Sequence, residues 1–239
     1  MARPNPFEAP PVKSRRGGPA KAPLSRDAIV TCALQQLTQG GLEGMSLRKV
    51  AAALETGPAS LYAYVDDLHA LHALVLDRAL GKVKLRGAKG SWRARLQALL
   101  RSYIQVLSAS PGLAQLAFGT IAVGPNALRI TEALLALLEE AGVSAATGAW
   151  AVDLLTLYVT AIAAEQAGGH APADPAGAVA RAFAAATPAE HPHLHAARDH
   201  LLSGTGEERF AWAVDVLLRG IVHAPRGPSR GARRRPPRR

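Results

Sequence analysis

Arg48 and Lys49, followed by Ser60, Tyr62 and Tyr64, are the residues of this chain whose types and spacing best suit a shared task. They lie in residues 46–65, SLRKVAAALETGPASLYAYV, which reads as two short helices joined by a tight turn. Ser46 suits an N-cap, and Leu47, Val50, Ala51 and Leu54 keep one helical face apolar. Glu55-Thr56-Gly57 makes the turn, and Pro58 suits a first helical position, where its missing N–H costs nothing. A corner of this kind can lay its second helix in the major groove of duplex DNA, which is wide enough to admit one. Cations and hydroxyls are the groups such a task needs. The same residues also fit a plainer reading: Tyr62 and Tyr64 as core aromatics, Arg48 and Lys49 as a solvated helix face.

A second set lies in 145–167, AATGAWAVDLLTLYVTAIAAEQA. Asp153, Thr156 and Thr160 share one side of that helix at i, i+3, i+7, with Trp150 one turn earlier, and Tyr103 and Phe118 come from neighbouring helices. An apolar cavity with a few convergent polar groups is what a small organic molecule requires. These six residues are therefore expected to bind a hydrophobic or aromatic ligand. The alternative is that the polar groups face solvent or satisfy one another across a dimer contact. Catalysis has no visible centre, since G-x-S-x-G, G-x4-G-K-[ST] and H-E-x-x-H are all missing. His191 and His195 at i, i+4 could share a metal on a helix, but Pro192 lies between them and the nearest acid is Asp199. A polar loop or helix start is expected there, with no metal, no cofactor and no enzymatic activity.

The elements that must position these sets are helical. Ala and Leu dominate, no segment alternates apolar with polar, and 49% hydrophobic against 19% charged residues in a chain of 239 excludes general disorder. An all-α fold is expected. Ser25 caps a first helix that keeps Ile29, Val30, Ala33, Leu34 and Leu37 on one face and stops at Gly40-Gly41. The second and third helices are the two above, the third running to Val65. Asp66 or Asp67 opens a fourth, to about Lys84. Further helices are expected at 91–108, 111–123, 125–142, 145–167, near 175–186, and at 206–222. The single Cys32 excludes an internal disulfide. No apolar run reaches the length of a bilayer span and the start lacks a signal peptide's apolar stretch, so a cytoplasmic protein without a membrane partner is expected.

Charge is concentrated at the ends. Residues 1–26 carry a net +5 and 224–239 a net +7, which leaves 27–223 at −2. Basic, Pro/Gly-rich ends on a nearly neutral body suggest arms that meet a polyanion. The corner itself is acidic: from Asp27 to Ala70, Arg48 and Lys49 face Asp27, Glu43, Glu55, Asp66 and Asp67, a net of −3. Lys13, Arg15, Arg16, Lys21 and Arg26 just before the first helix are expected to supply the missing phosphate contacts.

Residues 25–76, with the first helix, the Gly40-Gly41 stop, MSLRKVAAAL and ASLYAYV, resemble the tetracycline-repressor-type (TetR) family of bacterial regulators. The resemblance implies that Arg48 reaches base edges or phosphate from the second helix, and that Ser60, Tyr62 and Tyr64 contact DNA from the third. Lys49, Pro58, Ala59 and Ala63 complete the expected DNA-binding set, the last three through apolar contact alone. Two positions depart from the family: its usual Gly after the second helix is Glu55, and its usual Lys near the start of the fourth is Leu68. The expected organisation is a disordered basic arm (1–24), a helix-turn-helix domain (25–84), a helical effector-binding and dimerisation domain (91–223) and a disordered Arg-rich tail (224–239). The implied function is that of a homodimeric repressor that binds a pseudo-palindromic duplex operator and is released by a small effector. The rival reading is a nonspecific or architectural nucleic-acid binder driven by the basic ends.

Overall fold

The computed structural model describes residues 5–7, 24–87, 89–167 and 175–224, and no strand occurs among them. Four elements build the N-terminal part: α1 (Arg26–Gly44), α2 (Leu47–Ala53), α3 (Pro58–Leu61) and α4 (Leu68–Leu80). Side chains placed for the purpose start three of them. The Ser25 hydroxyl accepts the Ala28 N–H at 3.1 Å, Ser46 accepts that of Lys49 at 3.2 Å, and Asp67 accepts that of Ala70 at 2.7 Å. The expected stop of α1 is a kink, because Gly41 takes φ 64 and a further turn runs on to Gly44. The third helix is shorter than expected, with a turn over 62–64 replacing its second half, and α4 ends before Gly81 rather than at Lys84.

Ile29, Val30, Ala33 and Leu37 of α1 are buried together with Val50, Ala51, Leu61, Val65, Leu71 and Val75. Burial begins before α1, since Leu24, expected to belong to the arm, is 6% exposed. Lys13, Arg15, Arg16 and Lys21 lie outside the described residues, as does the tail beyond Ala224.

Next come α5 (Trp92–Leu107), α6 (Pro111–Gly119), α7 (Pro125–Glu140) and α8 (Ala145–Ala167). The expected run of α6 to Val123 stops at Gly119 because Thr120 turns extended, which leaves 120–124 as a loop. By length and composition α8 is long and apolar enough to cross a membrane, which corrects the expectation that no such segment exists. Here it is a bundle helix that packs on α5, α6 and α7 and carries Asp153 and Glu165. It buries one side, Gly148 to Ala167, while Trp150, Leu154 and Leu157 on the other side are exposed.

Contact divides the chain after Ala167: the helices up to that point belong to one compact unit, and Gly168–His223 forms a second. The expected functional boundary at 84–91 falls inside the first unit, where α4 packs against α5, α6 and α7 as well as α1. The second unit holds α9 (Pro175–Ala185), α10 (Pro192–Leu201) and α11 (Gly206–His223). The histidine cluster is a helix start, with His191 at the N-cap and Pro192 first in α10. In α11, Phe210, Val214, Leu218 and Ile221 are buried, whereas Trp212 is 70% exposed.

Glu55 takes φ 49, the one positive φ at a non-glycine among the described residues, in the turn between α2 and α3. A side chain in the left-handed region costs about 1–2 kcal/mol. Glu55→Gly is therefore expected to raise the unfolding free energy by about 1 kcal/mol in urea denaturation; an unchanged or lower value would mean that the Glu55 side chain offsets the strain.

Candidate functional site

The surface of the α2–α3 corner is set by which side chains the core claims. Leu61 and Val65 turn inward as expected, at 0% and 2% exposure, and Tyr64 joins them at 8%. Tyr64 is thus a core aromatic in this conformation, and the plainer of its two readings describes its side chain. Its carbonyl accepts the Arg26 Nε–H at 3.2 Å, so Arg26 braces the end of the corner instead of extending the arm. Pro58, Ala59, Ser60, Tyr62 and Ala63 are exposed on one side of α3, with Tyr62 at 55%. Arg48 is exposed on α2. Lys49 is exposed too, but its ammonium donates to the Glu43 carbonyl at 2.8 Å and holds the end of α1. The surface thus presents one outward guanidinium, two hydroxyls and three apolar residues, a mixture suited to base edges and thymine methyls more than to phosphate.

Cations of α4 do little for this surface. Arg78 is engaged elsewhere, forming an ion pair with Asp27 and a hydrogen bond to the Thr31 hydroxyl.

A 410 Å³ cavity lies among α5, α6, α7 and α8. Of the six expected residues, Tyr103, Phe118, Asp153, Thr156 and Thr160 line it. Trp150 does not; it is 64% exposed on the outer side of α8. Ala149 takes the place one turn before Asp153, and at 3.6 residues per turn Trp150 is rotated roughly a quarter-turn away. Thr160 and Tyr103 are buried and hydrogen-bonded to each other; burial pushes the Tyr103 phenol above its ordinary pKa, and the bond to Thr160 works against that. The Thr156 hydroxyl donates back to the Val152 carbonyl at 2.8 Å, which leaves its lone pairs to the cavity.

Sequence reasoning passed over Ala127, Ile130 and Thr131 of α7 and Thr120 and Ala122 of the loop before it. The α7 set had a signal, apolar residues at i and i+3 with a lone Thr beside them. The loop had none, because its expected state was helical. Among the described residues no three His, Cys, Asp or Glu side chains converge as a metal site would need.

Residues 86–224 match the family described as tetracyclin repressor-like, C-terminal domain. The chain is 34% identical over 148 residues to the HTH-type transcriptional repressor DrrR1 of Streptomyces coeruleorubidus, an alignment that covers 61% of this chain and 55% of DrrR1. A second curated regulator, from Saccharopolyspora erythraea, is likewise matched over 51% of its length, so the chain spans about half of each of these relatives. Among solved structures, the transcription regulator SCO7704 from Streptomyces coelicolor is 42% identical with a TM-score of 0.72, over 87% of this chain and all of that one. ActR from the same organism, solved in complex with actinorhodin, is 30% identical with a TM-score of 0.75, over 84% of this chain and 98% of that one.

The split between Tyr62 and Tyr64 is open to a direct check. Tyr64→Ala is expected to cost about 3–5 kcal/mol of unfolding free energy, as removal of a buried aromatic does, whereas Tyr62→Ala stays within about 0.5 kcal/mol. Chemical denaturation of the two variants side by side reads both values; similar losses would contradict the orientation of α3.

Proposed function

The chain belongs to the tetracycline-repressor-type family of transcription regulators, and on that premise we propose that it represses as a homodimer that binds a pseudo-palindromic operator and is released by a small hydrophobic or aromatic effector. The observation that carries this reading is one compact unit holding both an exposed helix-turn-helix surface and a cavity that mixes apolar side chains with Asp153 and several threonines. Arg48, Ser60 and Tyr62 read the major groove, with Pro58, Ala59 and Ala63 in apolar contact. Lys49 braces the corner at the surface and Tyr64 from within. Tyr103, Phe118, Asp153, Thr156 and Thr160 hold the effector, and ActR, solved in complex with actinorhodin, supports a small-molecule ligand for the chain. Dimerisation is supported by the apolar side chains of α8 and α11 that a single chain leaves uncovered, among them Trp150, Leu154 and Trp212. Two corners related by a two-fold axis must lie about one turn of DNA, or a multiple, apart, and an effector that favours another separation weakens binding.

The test is to sequence the duplex fragments that the purified chain retains from a random pool; a two-fold-related motif is expected, and retention without sequence preference would favour a nonspecific binder instead. On the selected duplex, Arg48→Ala should weaken binding by about 1–3 kcal/mol and leave the dimer intact, and Tyr62→Phe should cost less.

The acidic corner makes the arm the main source of phosphate contacts. If Lys13, Arg15, Arg16 and Lys21 supply two or three contacts per subunit, removal of residues 1–21 should flatten the slope of log affinity against log salt by roughly 4–5. Affinity titrations at several salt concentrations measure it, and equal slopes would exclude the arm.

A further inference from the structure

Between the α2–α3 corner and the cavity lies a buried carboxylate that neither site uses. Asp77, near the end of α4, is 6% exposed, and the first turn of α7 satisfies it. Its Oδ1 accepts the backbone N–H of Asn126 at 2.9 Å and of Ala127 at 3.0 Å. Its Oδ2 accepts the Asn126 Nδ2–H at 2.9 Å, and the same amide donates to the Asp77 carbonyl at 3.1 Å. The start of α7 is shaped for this visitor. Gly124 at the N-cap and Pro125 after it bring no capping side chain of their own, and a Cβ at Gly124 would fall 2.3 Å from the Asp77 carboxylate. A carboxylate at a helix N-terminus meets the positive end of the dipole as well as unpaired N–H donors, so these bonds are among the stronger ones available.

The joint touches both sites. Ala127 donates to Asp77 and also lines the cavity, as do Ile130 and Thr131 further along α7; Leu80, three residues beyond Asp77, lines it from α4. At its other end α4 begins three residues after Val65, and it packs on α1. We infer that Asp77 is a positioning residue that locks the cavity wall to the DNA-reading corner, so that a shift of α7 carries α4 with it. Separating the two helices would leave a buried carboxylate and two backbone donors without partners, which is costlier than moving both together. This rests on the proposed reading of the chain as a ligand-responsive DNA binder. Linkage is reciprocal, so the joint is testable without the effector: DNA at the corner must be felt at α7.

The experiment is hydrogen exchange on the full-length chain, free and saturated with a duplex that the wild-type protein selects from a random pool. In the wild type, DNA is expected to slow exchange of the amides of residues 126–131 by about fivefold or more, at the lower end of typical coupling factors. In Asp77→Asn and in Asn126→Ala, which removes the two side-chain amide bonds and leaves the backbone ones, that slowing should fall below about twofold while protection of α1–α3 by DNA persists. Asn126→Ala keeps the test in force if Asp77→Asn does not fold. DNA protection of α7 that is the same in the variants as in the wild type overturns the inference, and so does a wild type in which DNA protects α2 and α3 alone. A chain that retains no duplex at all overturns the DNA-binding reading and the inference with it, a result distinct from binding without coupling.

Discussion

A helix of four residues cannot hold its own shape, because the first turn fixes several backbone angles for a single hydrogen bond. That constraint governs the α2–α3 corner. The course of α3 is set by Leu61, Tyr64 and Val65, which are buried below it, by Arg26 on the Tyr64 carbonyl, and by the Asp67 cap that starts α4 two residues after Val65. Side chains with the chemistry to contact a duplex can face outward only because these others face inward. The tyrosine pair illustrates it: two identical side chains two residues apart, one at 55% exposure and one at 8%.

The same bracing explains why the corner is poor in usable charge. Lys49 holds the end of α1, Arg26 holds the end of the corner, and Arg78 is paired with Asp27. Arg48 is left as the outward cation within a segment whose net charge is −3. A surface of this kind discriminates through shape and hydrogen bonds more than through attraction to phosphate. Nonspecific affinity, which is almost wholly electrostatic, must then come from outside the corner.

Much of this architecture is legible in the sequence because helix ends carry local signals. Ser25, Ser46, Asp67, Ser91 and Ser110 all cap the helices they precede, and Pro58, Pro111 and Pro125 each open one. The cavity side of α8 was legible for the same reason, since three polar residues at i, i+3, i+7 in an apolar helix must share a direction. Trp150 was misjudged by one residue of rotation, and Tyr64 was ambiguous because a tyrosine suits either a core or a surface. Least legible were features that depend on distant segments. The loop over 120–124 lines the cavity only because α6 ends early, and no local pattern pairs Asp77 with Asn126, 49 residues away.

The borrowed cap on α7 also bears on how the chain folds. A helix that opens with Gly124 and Pro125 and relies on a carboxylate from α4 gains its first turn only after a long loop has closed. The bonds between its start and the end of α4 therefore join segments 49 residues apart, so loop closure must be met before they form. The helix-turn-helix segment is accordingly not a detachable cassette. Cut out at residue 84, it would carry a stranded Asp77 at the end of α4 and lose the packing of α1 and α4 on α6, so both of its long helices would surrender the partners that keep them ordered.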